Sequence, residues 1–156
     1  MSEGPPDLAV GRPVSSIVVP TRNRSHLLPR LLAALDAQEF SASEVILVDD
    51  ASTDRTWETL SAWKGEGRRA LRLETPSGSY AARNLGWQAA RGAIVAFTDD
   101  DCLPRPEWLS HLVRAMEGSQ HLFGKRHEPV LVARPQRRHP TASRAWAYWR
   151  TVSRSR

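Results

Sequence analysis

The chain has 156 residues, 40% of them hydrophobic and 25% charged, with one cysteine and a formal net charge of +5. That length fits one domain, or one domain and a tail, and a lone cysteine excludes an internal disulfide and a cysteine zinc cluster and fits a reducing compartment. The charge is unevenly placed: residues 1–120 carry 13 Lys/Arg against 16 Asp/Glu, a net of −3, whereas residues 121–156 carry 9 against 1, a net of +8. The basic balance therefore belongs to the tail and gives the domain no nucleic-acid signature.

Residues 1–13 hold three prolines and two glycines and read as a disordered lead. They lack the basic-then-apolar order of a secretory leader. No apolar run approaches the roughly 20 residues of a membrane span. Val14–Pro20 is the first predicted strand, rich in β-branched residues. The polar loop Thr21-Arg22-Asn23-Arg24 follows it. Ser25 is placed to cap the next helix, and Pro29 falls near its first turn. Leu28, Leu31, Leu32 and Leu35 give that helix one apolar stripe.

Glu44–Val48 is the second predicted strand and ends in Asp49-Asp50. Asp54 or Thr53 then caps a helix whose apolar side is Trp57, Leu60 and Trp63. Ala70–Glu74 alternates and reads as a shorter third strand. Ser79–Ala90 is a third helix with a small-residue face of Ala81, Ala82, Leu85, Gly86 and Ala89. Ala93–Phe97 is the fourth strand, and Pro106 opens a fourth helix faced by Trp108, Leu109, Leu112, Val113 and Met116. Val130–Ala133 has the composition of one more strand. Strands alternating with helices predict an α/β domain with a mostly parallel sheet.

The fourth strand runs into Asp99-Asp100-Asp101. Adjacent anions repel, and a chain tolerates them most easily in water or around a cation. In an extended stretch Asp99 and Asp101 share a face and Asp100 takes the other. Two carboxylates on one face suit a hard divalent ion. The polar clusters 21–24, 49–54 and 99–101 each follow a predicted strand. In a parallel sheet all three meet at the rim where such folds bind ligands. The loop after the first strand has no glycine, which argues against a dinucleotide fold, and no glycine-rich Lys-Ser/Thr loop exists for an ATPase. A polar rim, a divalent ion and nearby Arg83 suit a nucleoside diphosphate.

Four segments in order, Val18–Arg24, Val48–Thr56, Ala82–Gly86 and Phe97–Asp101 followed by Pro106, resemble the family 2 glycosyltransferases. The resemblance covers about residues 14–118. It implies a Rossmann-like GT-A sandwich that binds a nucleotide-diphosphate sugar. By that resemblance Pro20 and Thr21 line the base pocket, Asn23 belongs to the same contact loop, and Asp50 hydrogen-bonds the base. Asp49 is the lesser contact, with a structural role. Arg83 faces the base or the diphosphate. Asp99 and Asp101 form the D-x-D pair, with Asp99 near the ribose and Asp101 holding Mg²⁺ or Mn²⁺. Asp100, the variable middle position, counts with the nucleotide-sugar contacts. The implied reaction is transfer to an acceptor hydroxyl with inversion, which needs a carboxylate base on the far side of the sugar.

Past Asp101 the acids are Glu107, Glu117 and Glu128, and none stands in the family's acidic helix-start motif. The base is therefore not identified. The donor half is expected present and the acceptor half absent, as a truncated, frameshifted or fragmentary gene would give. A catalytically incomplete nucleotide-binding fragment or a non-catalytic interaction module is the alternative. The expected division is a lead over 1–13, a nucleotide-sugar-binding domain over 14–120 and a truncated or disordered basic tail over 121–156. Trp146, Tyr148 and Trp149 among Arg144 and Arg150 give that tail a basic-aromatic patch, for which peripheral contact with an anionic membrane is the functional reading. A cytoplasmic location, at the inner face of the membrane where the tail makes contact, follows as an expectation. Asn23 as a turn residue, Arg24 as a solvated one and Asp54 as a cap are the plainer readings of those positions. The tryptophans read as packing, the five histidines show no metal spacing, and the acids beside Cys102 disfavour a reactive thiolate.

Overall fold

The computed structural model describes residues 13–117, 130–133 and 147–148. Glu128 and the patch residues Arg144, Trp146, Trp149 and Arg150 lie outside the described residues, as does nearly all of the lead. The elements run β1 (Ser15–Thr21), α1 (Leu28–Asp36), β2 (Ser43–Asp49), α2 (Thr56–Ala62), β3 (Arg68–Arg72), α3 (Ser79–Ala89), β4 (Ile94–Phe97), α4 (Trp108–Glu117), β5 (Val130–Ala133) and β6 (Ala147–Tyr148). They form one sheet in the order β3-β2-β1-β4-β5-β6. Every pairing is parallel except β5 with β6. The sheet thus reaches past residue 120, where the sequence suggested a domain boundary. No helix among the described residues is long and apolar enough to cross a membrane.

Strands buried on both faces read as continuous apolar runs, and β1, β2 and β4 do. Ile17, Val19, Leu47 and Ala96 face α1 and α4, where Leu28, Leu31, Leu109 and Val113 close the larger core together with Leu60 of α2. Val18, Ile46, Val48, Val95 and Phe97 face the other way, onto Ala82 of α3. The alternation of strand side chains produces this two-sided core directly.

Three sequence expectations shift. The third strand lies at Arg68–Arg72, two residues before the 70–74 expected. Arg68 and Arg69, which open the strand, each have an anchor. Arg68 binds Asp36 at 2.6 Å and lies over the Trp63 ring, while Arg69 binds Glu44 and the Ala89 carbonyl. Ser25 does not cap α1, whose N-cap position is Leu27 with no side-chain cap. Residues 24–27 close as a turn instead, and the Ser25 amide donates to Asp54. Neither Thr53 nor Asp54 is the N-cap of α2, which is Arg55. Asp54 still accepts from the Thr56 amide at 2.8 Å.

α3 lies close on the sheet because its contact residues are small. A Cβ at Gly86 would stand 2.4 Å from Val18 Cγ1 and 3.1 Å from Val48 Cγ2. Gly86→Ala is therefore expected to destabilise the fold by about 1–3 kcal/mol through overpacking. Because the clash is with Val18, thermal melts of Gly86→Ala, Val18→Ala and the double variant are expected to be non-additive, the double variant being more stable than the sum of the singles.

Candidate functional site

Strand order reverses between β1 and β4, since β1 continues outward to β2 on one side and to β4 on the other. β4 also ends early. Phe97 pairs with Val18, whereas β1 runs on to Thr21 beside Asp49. This step leaves a cleft at the carboxyl ends of the strands, of about 320 Å³. It is lined by Pro20, Thr21, Asp50, Arg83, Asp99, Asp100 and Asp101, and also by Arg22, Arg24 and Ser79.

The loops after β1 and β2 are laced together. The Asp50 amide donates to the Thr21 carbonyl at 2.9 Å, and the Asn23 amide to Ser52 Oγ at 2.9 Å. The Thr53 amide donates to Asn23 Oδ1 at 2.8 Å, and the Arg24 amide to Thr56 Oγ1 at 2.9 Å. Asn23 sits at φ 51°, a left-handed conformation that asparagine adopts more readily than most residues. Asn23 thus ties the two loops together and is not among the residues that line the cleft. Asp54 accepts from Thr56 and Ser25. Slight burial works against its charge, but those hydrogen bonds prevail and hold its pKa down at about 2.

Asp49 is fully buried. It accepts from the Ser52 amide and hydroxyl and pairs with Arg72 at 3.2 Å, so it serves the framework beneath the lip. Asp50, 3% exposed, accepts from the Ser77 amide at 2.7 Å and the Gly78 amide at 2.9 Å. It thereby fixes the start of α3, where Gly78 at φ 88° makes the turn that a side chain would strain. One helical turn on, Arg83 donates to Ser79 Oγ at 3.1 Å and to Asp99 Oδ1 at 2.5 Å. Asp100 accepts from Thr21 Oγ1 at 2.7 Å and lies 3.9 Å from the Arg24 guanidinium. Burial is the main influence on Asp100 and raises its pKa despite those partners.

Asp99 and Asp101 share a side, as alternation suggested, but the backbone reason is different. The strand stops at Phe97, and the Cys102 amide returns to the Asp99 carbonyl at 3.1 Å in a turn. That turn gathers donor atoms of Asp99, Asp101 and Cys102 within 4.8 Å of one another. Two carboxylates offer the oxygen donors that a hard divalent ion takes. The Cys102 thiol is pushed up, by burial first and then by the neighbouring acids. It stays protonated at neutral pH and adds no thiolate charge.

Sequence reasoning placed Pro20, Thr21, Asp50, Arg83, Asp99, Asp100 and Asp101 together, and the fold does bring them to one cleft. It missed Arg22 and Ser79, and it read Arg24 as merely solvated. Arg24 is half exposed and also faces Asp100. The available signals were position within a loop that follows a core strand, and the four-residue spacing of Ser79 and Arg83 on one helix face.

An α/β sheet with a charged cleft at its switch point defines a nucleotide-binding class of fold. Residues 16–154 match the family described as Glycosyl transferase family 2. The chain belongs to that family. It is 34% identical over 111 residues to Glycosyltransferase AglE of Haloferax volcanii, an alignment covering 69% of this chain and 36% of that protein. It is 34% identical over 116 residues to a GalNAc(5)-diNAcBac-PP-undecaprenol beta-1,3-glucosyltransferase of Campylobacter jejuni, covering 72% and 38%. Among solved structures, Staphylococcus aureus TarS with UDP-GlcNAc superposes with a TM-score of 0.61 at 32% identity, over 66% of this chain and 31% of that one. Mannosyltransferase PcManGT of Pyrobaculum calidifontis, with GDP-Man and Mn²⁺, gives 0.61 at 30% identity, over 67% and 32%. The chain spans little more than a third of the length of these two curated relatives. The GT-A fold expected from the motifs is the one these neighbours share.

The raised Cys102 pKa has a chemical consequence. Alkylation by iodoacetamide is expected to rise with pH through a midpoint above the ordinary thiol value of about 8.5. A pH–rate profile on the chain, whose only cysteine is Cys102, checks this. A midpoint at or below that value contradicts it.

Proposed function

We propose that this chain binds a nucleotide-diphosphate sugar in the β1–β4 cleft and supplies the donor half of an inverting glycosyl transfer. The observation that carries the reading is the meeting, at one rim, of Thr21, Asp50, Arg83 and the acidic turn from four separate elements. Complexes of structural neighbours with UDP-GlcNAc and with GDP-Man and Mn²⁺ support the ligand class. Asp50 and Thr21 would meet the base, and Arg83 would match phosphate oxygens by its planar fork.

Asp101 and Asp99 would hold Mg²⁺ or Mn²⁺. A bound divalent ion supplies Lewis-acid stabilisation of the charge that grows on the departing diphosphate. Arg83 stabilises the same charge by charge-assisted hydrogen bonds. The acceptor hydroxyl attacks the anomeric carbon from the side opposite the diphosphate. The new carbon–oxygen bond forms as the carbon–phosphate-oxygen bond breaks, and the hydroxyl proton passes to a base.

A second reading, binding without turnover, is favoured by the identity of the carboxylates. The only ones that line the cleft are Asp50, Asp99, Asp100 and Asp101. Each belongs to a donor or metal position, which leaves none on the acceptor side among the described residues.

Titration calorimetry with UDP and with GDP, each with and without Mn²⁺, tests the proposal. Asp101→Ala is expected to abolish the metal-dependent part of binding. Asp50→Ala is expected to weaken nucleotide binding about tenfold or more even without metal, since it loses charge-assisted hydrogen bonds. No heat from folded protein under any of these conditions sinks the reading. Release of nucleoside diphosphate that depends on added acceptor rejects the binding-only alternative.

A further inference from the structure

We propose that Arg83 is the built-in countercation of Asp99, and that it must leave this carboxylate before a divalent ion can use it, so that cation and nucleoside diphosphate enter the cleft as a coupled pair. The inference rests on the nucleotide-sugar reading of the cleft. It concerns how this chain's own charges are disposed before any ligand arrives.

Arg83 and Asp99 meet at 2.5 Å, and their side chains are only 28% and 22% exposed. A pair so placed is screened by salt less than an open surface pair. The guanidinium is also steadied by Ser79 Oγ at 3.1 Å and by the Tyr80 ring, 5.9 Å from its centroid. Asp99 is one of the groups whose donor atoms converge within 4.8 Å with those of Asp101. The arginine therefore claims one of the two carboxylates that the ion needs.

The charge inventory of the cleft points the same way. Arg22, Arg24 and Arg83 face Asp50, Asp99, Asp100 and Asp101, three cations against four anions. A free divalent ion meets a nearly balanced field and has to break an ion pair. A free diphosphate meets four carboxylates. When both come together, Asp99 and Asp101 would hold the ion, and the displaced Arg83 would turn its fork to the phosphate oxygens, which it fits bidentately. Each ligand then raises the affinity of the other by the same factor, as linkage requires.

The test is a Mn²⁺ titration of the full chain without nucleotide, read by the electron paramagnetic resonance signal of free Mn²⁺. Arg83→Ala is expected to bind Mn²⁺ about tenfold more tightly than wild type, because Asp99 is released from its partner. Arg83→Lys, which keeps the charge, is expected to stay within about threefold of wild type. Asp99→Asn added to Arg83→Ala is expected to remove the gain. In the same Arg83→Ala protein, UDP and GDP binding measured with Mn²⁺ present is expected to weaken. Opposite movements of metal and nucleotide affinity are a signature that loss of structure would not give. Arg83→Gln is read in the same way if the alanine variant melts early. Wild type that binds Mn²⁺ and nucleotide together, with no gain of Mn²⁺ affinity in the Arg83 variants, overturns this inference alone. Wild type that binds neither nucleotide under any condition overturns the reading beneath it.

Discussion

The parallel pairing of β1 with both β2 and β4 is the constraint from which the rest follows. Three strands pointing one way must release their chains at one rim. Each chain then carries polar side chains into a shared space. Because β4 stops opposite Val18 while β1 continues to Thr21, that space is a step and not a flat edge. The step is what lets Asp100 reach Thr21 and Asp99 reach Arg83 across a gap of many residues in sequence.

The rim is graded in rigidity. The loops after β1 and β2 are tied by backbone-to-side-chain hydrogen bonds through Asn23, Ser52, Asp54 and Thr56. Asp49 below them is wholly committed to Ser52 and Arg72. Asp50 reaches across to the backbone amides that begin α3. The acidic turn, by contrast, is held to its surroundings mainly by side-chain charge contacts, with Arg83, Arg24 and the Thr21 hydroxyl. Such contacts exchange for ligand contacts at lower cost than a backbone lattice rearranges. A fixed floor and an exchangeable acidic wall suit a site that must accept a charged ligand and release it.

Much of this was legible in the sequence, for a physical reason. The core strands are buried on both faces, so they appear as plain apolar runs, and the polar residues that end them mark the rim by contrast. Leu28, Leu31, Leu32 and Leu35 show α1 with equal clarity. What sequence pattern hid was anything set by a partner distant in the chain. The third strand opens two residues before its alternating stretch because Asp36 and Glu44, which hold Arg68 and Arg69, are remote in sequence. Asn23 carries a contact role by its motif position, and its Oδ1 also accepts from the Thr53 amide, a loop tie that the sequence did not show. Ser25 looked like a cap because its position relative to the leucine stripe allowed it, until Asp54 took its amide. Arg22 and Ser79 carried only the weak signal of their neighbours.

The two ends of the sheet treat their charges differently, and this separates framework from site. At the amino end, Glu44 is 3% exposed and takes bonds from Ser16 Oγ at 2.7 Å, the Arg91 amide at 2.6 Å and Arg69 at 3.2 Å. Ser16 Oγ in turn accepts from the Gly92 amide. Here a buried carboxylate is surrounded by donors from three segments, and removing one partner leaves a charge stranded in a low-dielectric interior. Its role is to fix where the strands begin. At the carboxyl end three successive carboxylates meet Arg83, Arg24, the Thr21 hydroxyl and the Cys102 thiol among other partners, with Asp101 exposed to solvent. Like charges adjacent in sequence repel, and contacts with nearby donors offset that repulsion. The acids at the amino end hold the framework, whereas those at the carboxyl end meet arginines whose contacts a charged ligand could take over.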